Sequence, residues 1–309
     1  MRASDITYRL LAPADDDVAF GVFREALNDY LARAGQELVP PGNDQTAAFL
    51  HVLRHDGPRC WGADAGGGLV AWGAAVQRGS WWFLSDLFVL AEAQGKGTGG
   101  ELLRSCMEAA EVATTFATVT DTLQPISNTL YARRGMLPRE VLLGFAGAPQ
   151  TSDGLLGPLR EDSAPAGGLE PEPLVTASVA ELAALDGEVT GIERGVDHAF
   201  YLGEDGRRGW LYRRAGRPVG YVMHRPNGRI GPLACLDAAD VAPVLRHALV
   251  QLAAQGCAHV TVRVPAPCTA AQRVLWNAGF VPEGTPGLLL ASEPFGRLDR
   301  YLPASYGLF

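Results

Sequence analysis

The stretch from Ser80 to Met107, S-W-W-F-L-S-D-L-F-V-L-A-E-A-Q-G-K-G-T-G-G-E-L-L-R-S-C-M, constrains this chain more than any other. Trp81 to Leu90 is an almost unbroken aromatic and aliphatic run, which at this length predicts a strand buried on both faces. From Glu101 the pattern turns helical. Between them stand Gln94, Gly95, Lys96, Gly97, Thr98, Gly99 and Gly100, with four glycines in six residues. Lacking Cβ atoms, such a backbone bends tightly and approaches a ligand closely. Its orphan amides then point outward at the positive end of a helix dipole, an arrangement that binds phosphate or pyrophosphate.

Three kinds of site use a turn like this. A P-loop needs Ser or Thr directly after Gly-Lys, but position 97 is Gly. A dinucleotide fingerprint fits better, because Gly95, Gly97 and Gly100 spell G-x-G-x-x-G and Asp121 ends an apolar stretch about 20 residues later, where a ribose-binding acid belongs. Against it, Ala91 to Gln94 separate the glycines from their strand, and a whole set of elements precedes them. The third reading accounts for more. Gln94-x-x-Gly97-x-Gly99, after an apolar strand ending in Val89, resembles the Q/R-x-x-G-x-G/A cofactor signature of the GNAT superfamily of acyl-CoA-dependent N-acyltransferases. Further on, Asn128-Thr-Leu-Tyr131-Ala-Arg-Arg-Gly135-Met136 is similar to the superfamily's second block, N-x-x-x-Y-x-x-x-G-F, with Met in place of Phe.

Length and composition set the frame for that resemblance. At 309 residues the chain exceeds one ordinary domain, and its 47% hydrophobic and 19% charged residues are those of a soluble globular protein. No apolar run reaches a membrane span and Met1 to Leu11 carries charges, so a cytoplasmic protein with no membrane partner is expected. A net charge of -8 with no basic patch argues against nucleic acid and is compatible with cationic amines. The five cysteines Cys60, Cys106, Cys235, Cys257 and Cys268 form no C-x-x-C pair, and the histidines show no metal spacing. Buried free thiols and no metal are expected.

In order, Ile6 to Leu11 predicts a strand, and Asp15 to Asp17 caps a helix carrying Phe20, Phe23, Leu27 and Leu31. After the break at Pro40-Pro41-Gly42 a second helix is predicted from about Asp44, then a hairpin of Arg59 to Asp64 and Leu69 to Gln77. Beyond the glycine turn come a helix, a strand at Phe116 to Thr120, a short helix at Pro125 to Gly135 and a strand at Glu140 to Phe145. The resemblance implies an α/β fold, a mixed and mostly antiparallel sheet flanked by helices, over a catalytic domain 1–150. Pro-, Gly- and Ser-rich composition marks 151–173 as a linker. A second domain, 174–309, repeats the pattern: strands at Arg217 to Met223 and Arg229 to Cys235, a helix at Val241 to Gln255, a strand at His259 to Val264 and a helix at Ala270 to Gly279. Gly279-Phe-Val-Pro282 falls 144 residues after Gly135-Met-Leu-Pro138, as in a worn internal repeat.

The copies differ where chemistry is expected. Positions 94–100 correspond to the D-A-A-D-V-A-P-V run about Ala238 to Val244, which has no glycine and two carboxylates, and Tyr131 corresponds to Leu275. The second copy resembles the non-catalytic GNAT-like domain that ends some tandem acetyltransferases, which implies a domain shaping the acceptor cleft or the oligomer, with a homodimer among the outcomes. The final run R-Y-L-P-A-S-Y-G-L-F is apolar and is expected to dock; packing is the leading reading, and carriage of Tyr301, Tyr306 or the Phe309 carboxylate toward that cleft is the alternative.

The resemblance also assigns roles. Acetyl-CoA is the implied co-substrate, held by Gln94, Gly95, Lys96, Gly97, Thr98 and Gly99, with main-chain groups of Leu87, Phe88 and Val89 polarising the thioester carbonyl and Asn128 contacting the cofactor. Tyr131 is the implied acid for the leaving thiolate. Asp86 and Asp121 are both candidate bases for the amine. Trp81 and Trp82 serve equally as pocket lining or as core. The leading function is transfer of an acetyl or short acyl group to a primary amine of a small molecule or peptide. An acyl-CoA-binding regulator without turnover and a nicotinamide-dependent oxidoreductase are the competing readings.

Overall fold

The computed structural model describes residues 5–39, 45–149 and 167–309. By packing, the chain forms two compact units, Met1–Thr118 and Val119–Phe309. The break expected at Pro40-Pro41-Gly42, the predicted helix start at Asp44 and the predicted linker up to residue 166 lie outside the described residues.

In the first unit, β1 (Ile6–Leu10) leads through α1 (Asp16–Arg33) and α2 (Gln45–Asp56) to the strands β2 (Cys60–Ala65), β3 (Gly68–Arg78) and β4 (Trp81–Val89). Helix α3 (Thr98–Glu108) returns the chain to β5 (Thr115–Asp121), whose last three residues begin the second unit. The sheet order is β1-β2-β3-β4-β5. Every pairing in it is antiparallel except that of β4 with β5. A dinucleotide-binding fold rests on a parallel, doubly wound sheet, so the G-x-G-x-x-G reading fails on topology. The helices cover both faces. Leu102 of α3 packs on Ala63 and Ala71 with Leu87 and Val89 beside them, whereas Phe88 meets Phe23 of α1 edge-on at 4.7 Å. Alternation along β4 thus sends neighbouring residues to opposite helical layers. Asp56 at the end of α2 is buried against Arg78 of β3 at 2.9 Å and accepts the Gln77 amide at 2.9 Å, which anchors α2 to the sheet.

In the second unit, α4 (Pro125–Ala132) and β6 (Leu137–Gly147) are followed by β7 (Glu170–Pro173), α5 (Val179–Thr190), α6 (Gly195–Leu202), β8 (Arg208–Arg214), β9 (Arg217–His224) and β10 (Arg229–Cys235). Then come α7 (Val241–Ala254), β11 (Val260–Pro265), α8 (Thr269–Asn277), β12 (Val281–Pro282), β13 (Gly287–Ala291) and β14 (Tyr301–Leu302). The strand order is β13-β6-β11-β10-β9-β8-β7, with β12 on β6 and β14 on β10. Strand β6, expected to close the first domain, lies antiparallel between β13 and β11, so packing places 119–147 with the second unit. Glu170 to Pro173, predicted as linker, is an edge strand whose two prolines cost no ladder bond there.

The core of this unit is aliphatic, built on α7, α8 and the strands beneath them, with Phe145 and Phe280 fully buried. Beside it lies a buried polar group: Asp186 of α5 accepts from Arg194 at 2.7 Å and from Tyr221 at 2.6 Å, and meets His198 Nε2 at 2.8 Å. The Arg194 guanidinium holds the Asp186 carboxyl below its ordinary range against the cost of burial. Arg194 also donates to the main-chain oxygen of Phe309, and Tyr301, Leu308 and Phe309 are buried, so the final run docks as expected.

Candidate active site

Strand β4 changes character halfway along. Its pairing with β5 runs from Trp81↔Thr115 to Leu84↔Thr118, and beyond Leu84 its pairing among the described residues is with β3. The β3 register slips between Ala74 and Ala75, so Ser85 is an extra residue bulged into β4 just before Asp86. The burial follows: Trp81 to Leu84 are buried, whereas Ser85 to Val89 are half-exposed, which corrects the expectation of a strand buried on both faces. Trp81 and Trp82 belong to the buried half and pack in the core.

Asp86 sits where β4 opens. Ser85 Oγ donates to its carboxylate at 2.6 Å, yet burial dominates and pushes the carboxyl up to about 6. Leu87 and Val89 turn their side chains to the α3 layer and Phe88 to Phe23 and Trp72, so any contact these three make with a cofactor is through the main chain.

From Val89 the chain makes a 3-10 turn at Ala91–Ala93, extends at Gln94, and enters α3 at Thr98, three residues before the predicted start. Gly99 and Gly100 therefore form the first helical turn, where glycine's poor propensity matters least because nothing precedes it in the ladder. Gly95 and Gly97 adopt φ of 73° and 84°, and a Cβ at either would meet nothing within 4 Å. Backbone conformation requires glycine here, and the space above is open. Gln94 Nε2 donates to Val89 O at 2.9 Å and Thr98 Oγ1 to Ala93 O at 3.0 Å, two side-chain ties that hold the turn on both flanks. Lys96 Nζ donates to Glu92 O. No acceptor lies within hydrogen-bonding geometry of the Gly95, Gly97 and Gly99 amides among the described residues. An exposed turn with orphan amides at a helix N-terminus fits a pyrophosphate.

The other predicted residues fall in the second unit. Asp121 ends β5, where its Oδ1 accepts the Leu123 amide at 2.7 Å, closing the turn into α4. Asn128 Nδ2 donates to Asp121 O at 3.4 Å, and its Oδ1 is buried without a partner. Tyr131, one turn on along the same helical face, is buried. The structure thus brings Asp121, Asn128 and Tyr131 to one strand-to-helix junction, and Asp86 to Gly99 to another.

The repeat is visible in three dimensions with one revision. Strand β10 and a 3-10 turn at Ala238–Asp240 match β4 and its turn, but the second 3-10 turn runs directly into α7 at Val241. The Gln94–Gly97 segment has no counterpart at all. The two carboxylates are also committed: Asp237 caps the Ala239 amide at 2.9 Å and Asp240 pairs with Arg214 at 2.7 Å. Leu275, opposite Tyr131 in the repeat, is core. Of the cysteines, four are buried and Cys257 is partly exposed, and burial drives the Cys106 thiol up to about 12. Among the described residues no group of three or more His, Cys, Asp or Glu side chains could hold a metal ion, and no helix is long and apolar enough to cross a membrane.

Residues 23–136 match the family model of the acetyltransferase (GNAT) family, a span that contains both motif blocks. Over that span the chain is similar to the GNAT acetyltransferases. No curated protein matches its sequence. Among solved structures it is similar to a Pyrococcus horikoshii protein assigned as an acetyltransferase, with 16% identity over 99% of this chain and 96% of that one and a TM-score of 0.72. It is also similar to a GCN5-related N-acetyltransferase from Sphaerobacter thermophilus, with 15% identity, 94% and 96% coverage and a TM-score of 0.62. A tandem GNAT protein of the clavulanic acid biosynthesis pathway shares 14% identity over 94% of this chain and 99% of that one, with a TM-score of 0.58. At these identities the likenesses speak for the fold.

Proposed function

We propose that this protein transfers an acetyl or short acyl group from acetyl-CoA to a primary amine of a small molecule or peptide, by direct attack in a ternary complex. The observation that carries the reading is the Gln94–Gly99 turn: two left-handed glycines facing open space, with unpaired amides at the N-terminus of α3. Those amides would hold the pyrophosphate, each charge-assisted hydrogen bond contributing about 1.5 to 3 kcal/mol. When bound, acetyl-CoA supplies an activated acyl thioester. The main-chain groups of Leu87 to Val89, on the part of β4 that extends past its β5 pairing, orient the acyl carbonyl.

Asp86 takes the proton of the attacking ammonium on its carboxylate, a role suited to a carboxyl of about 6, which is mostly ionised at neutral pH yet far more basic than an ordinary aspartate. Asp121 is the second candidate, with one oxygen already engaged by its turn. Tyr131 holds the phenolic proton that the departing sulfur takes, and Asn128 presents its unpartnered Oδ1 to the cofactor. The second copy, without the glycine turn and without the tyrosine, binds no CoA and shapes the acceptor side.

Acetyl-CoA-dependent thiol release across a panel of amines tests this reading. Turnover with at least one primary amine is expected. Acetyl-CoA binding with no release from any amine would leave a regulator, and stabilisation by NAD in place of acetyl-CoA would overturn the assignment.

A further inference from the structure

Four arginines of the second unit crowd one neighbourhood: Arg207, Arg225, Arg229 and Arg263. Asp205 serves the first two, pairing with Arg207 Nε and Arg225 Nη2, each at 2.5 Å. Arg229 and Arg263 are left with little. Arg229 is half-buried, and its side chain makes no hydrogen bond and no ion pair among the described residues. Arg263 has only Glu283, with Nη1 at 3.7 Å from the carboxylate, and its Nε and Nη1 are buried without a hydrogen bond.

The two side chains share a face. Strands β10 and β11 run parallel with Arg229 opposite Thr261, and Arg263 follows Thr261 by one alternation, so both arginines stand on the same side of adjacent strands. Arg263 is also built in. Its guanidinium crosses Gly144 of β6, where a Cβ would come within 2.2 Å of Nη1, and it lies over the Tyr306 ring at 5.4 Å. Tyr306 in turn is packed on Gly287, whose main chain lies beside its buried hydroxyl, and it lies in the field of Arg263, Arg229 and Asp121. A guanidinium crowded by like charges is expensive: burial, then Arg263, Arg207 and Arg225, bring Arg229 down to about 10. Buried donors without acceptors, beside excess positive charge, are an arrangement that an anion completes.

We propose that Arg229 and Arg263, with the Tyr306 hydroxyl, form an anion site that binds a carboxylate or phosphate group of the acyl acceptor, so that the amines this enzyme acylates carry an acid group. The ligand class rests on the transferase reading above, whereas the anion site itself does not. A fork of guanidinium donors matches carboxylate and phosphate oxygens better than it matches any neutral group.

Matched acceptors separate the possibilities: β-alanine against propylamine for carboxylate, and phosphoethanolamine against ethylamine for phosphate. The wild type should prefer one anionic member over its neutral counterpart. Arg229→Gln should raise KM for that member by about tenfold to a hundredfold, leave the neutral amine and acetyl-CoA affinity unchanged, and be only partly rescued by Arg229→Lys. A parallel measurement needs no turnover: the preferred anionic amine should raise the melting temperature of the wild type and not of Arg229→Gln. If the shift appears without acyl transfer, the anion site stands and the transferase reading falls. No shift and no preference, equal losses on both members of a pair, or a loss of acetyl-CoA affinity in Arg229→Gln would overturn the proposal.

Discussion

Asp86 shows how one residue links stability to chemistry in this chain. Burial raises its carboxyl to about 6, above the 3.8 of a free aspartate, so the charged form that a base requires is the form the fold disfavours. The sign is fixed by that direction. Above about pH 6 the ionised carboxylate costs stability, on the order of 1 to 3 kcal/mol after allowance for its partial exposure, and the cost fades as pH falls through 6 toward 3.8. Asp86→Asn should therefore raise the stability measured by denaturant at pH 7.5 and have little effect near pH 4. The same variant should lose about a hundredfold to ten-thousandfold in kcat/KM, and the wild-type profile should fall on the acid side near pH 6. A variant with full activity and an unchanged acid limb would shift the assignment to Asp121.

Tyr131 makes a different residue-scale demand. Its ring is packed in α4, so removing only the hydroxyl preserves the packing. Tyr131→Phe should lower kcat by roughly tenfold to a thousandfold with unchanged acetyl-CoA affinity, as read by steady-state kinetics and calorimetry. Equal turnover would leave Tyr131 with packing as its role.

Among the elements, β6 repays attention because its partners are distant in sequence. It lies between β13 and β11, and Gly144 gives the Arg263 side chain its passage, with the Glu283 main-chain oxygen also within 2.4 Å of where a Cβ would stand. Neither contact can move cheaply, since one is backbone and the other a buried guanidinium. Gly144→Ala should cost about 1 to 3 kcal/mol in chemical denaturation, the range for overpacking a filled site. A neutral effect would mean that Arg263 is free to leave its place over Gly144.

Local pattern made much of the fold readable at this scale. Strands β1 to β5 and helices α1, α3, α4, α7 and α8 lie within a few residues of where apolar period and punctuation put them. Helix α3 begins earlier than read because Thr98-Gly99-Gly100 looks like turn composition, while the tie from Thr98 Oγ1 to Ala93 O makes Thr98 the first helical residue. Helices α5 and α6 were not legible, since their buried faces carry Asp186, Arg194 at the junction and His198, residues that a sequence presents as surface. Charged residues on β10 and β11 hid the Arg229 and Arg263 pair in the same way. The glycine turn, by contrast, was legible because positive φ demands a residue type and leaves a mark in the sequence.

At the scale of the whole molecule, the chain repeats a strand, 3-10 turn and helix order and carries the glycine turn once. Compact units divide at 118/119, earlier than composition suggested, because β6 finds its partners among strands that follow by more than a hundred residues and no local signal records that pairing. The second copy does more than lack glycines: its 3-10 turn passes straight into α7, so there is no loop for amides to line. If the proposed function holds, one acetyl-CoA binds per chain, at Gln94 to Gly99.

Calorimetric titration of acetyl-CoA into the full chain tests that claim most directly, with Gly97→Ala and Gly97→Glu alongside. Gly97 is left-handed, so both variants carry backbone strain of about 1 kcal/mol, but only Glu places an anion where the pyrophosphate would lie. The expected result is one site per chain in the wild type, modestly weakened binding in Gly97→Ala and near-complete loss in Gly97→Glu, with all three proteins folded. Two sites per chain, or wild-type affinity in a folded Gly97→Glu variant, would contradict it.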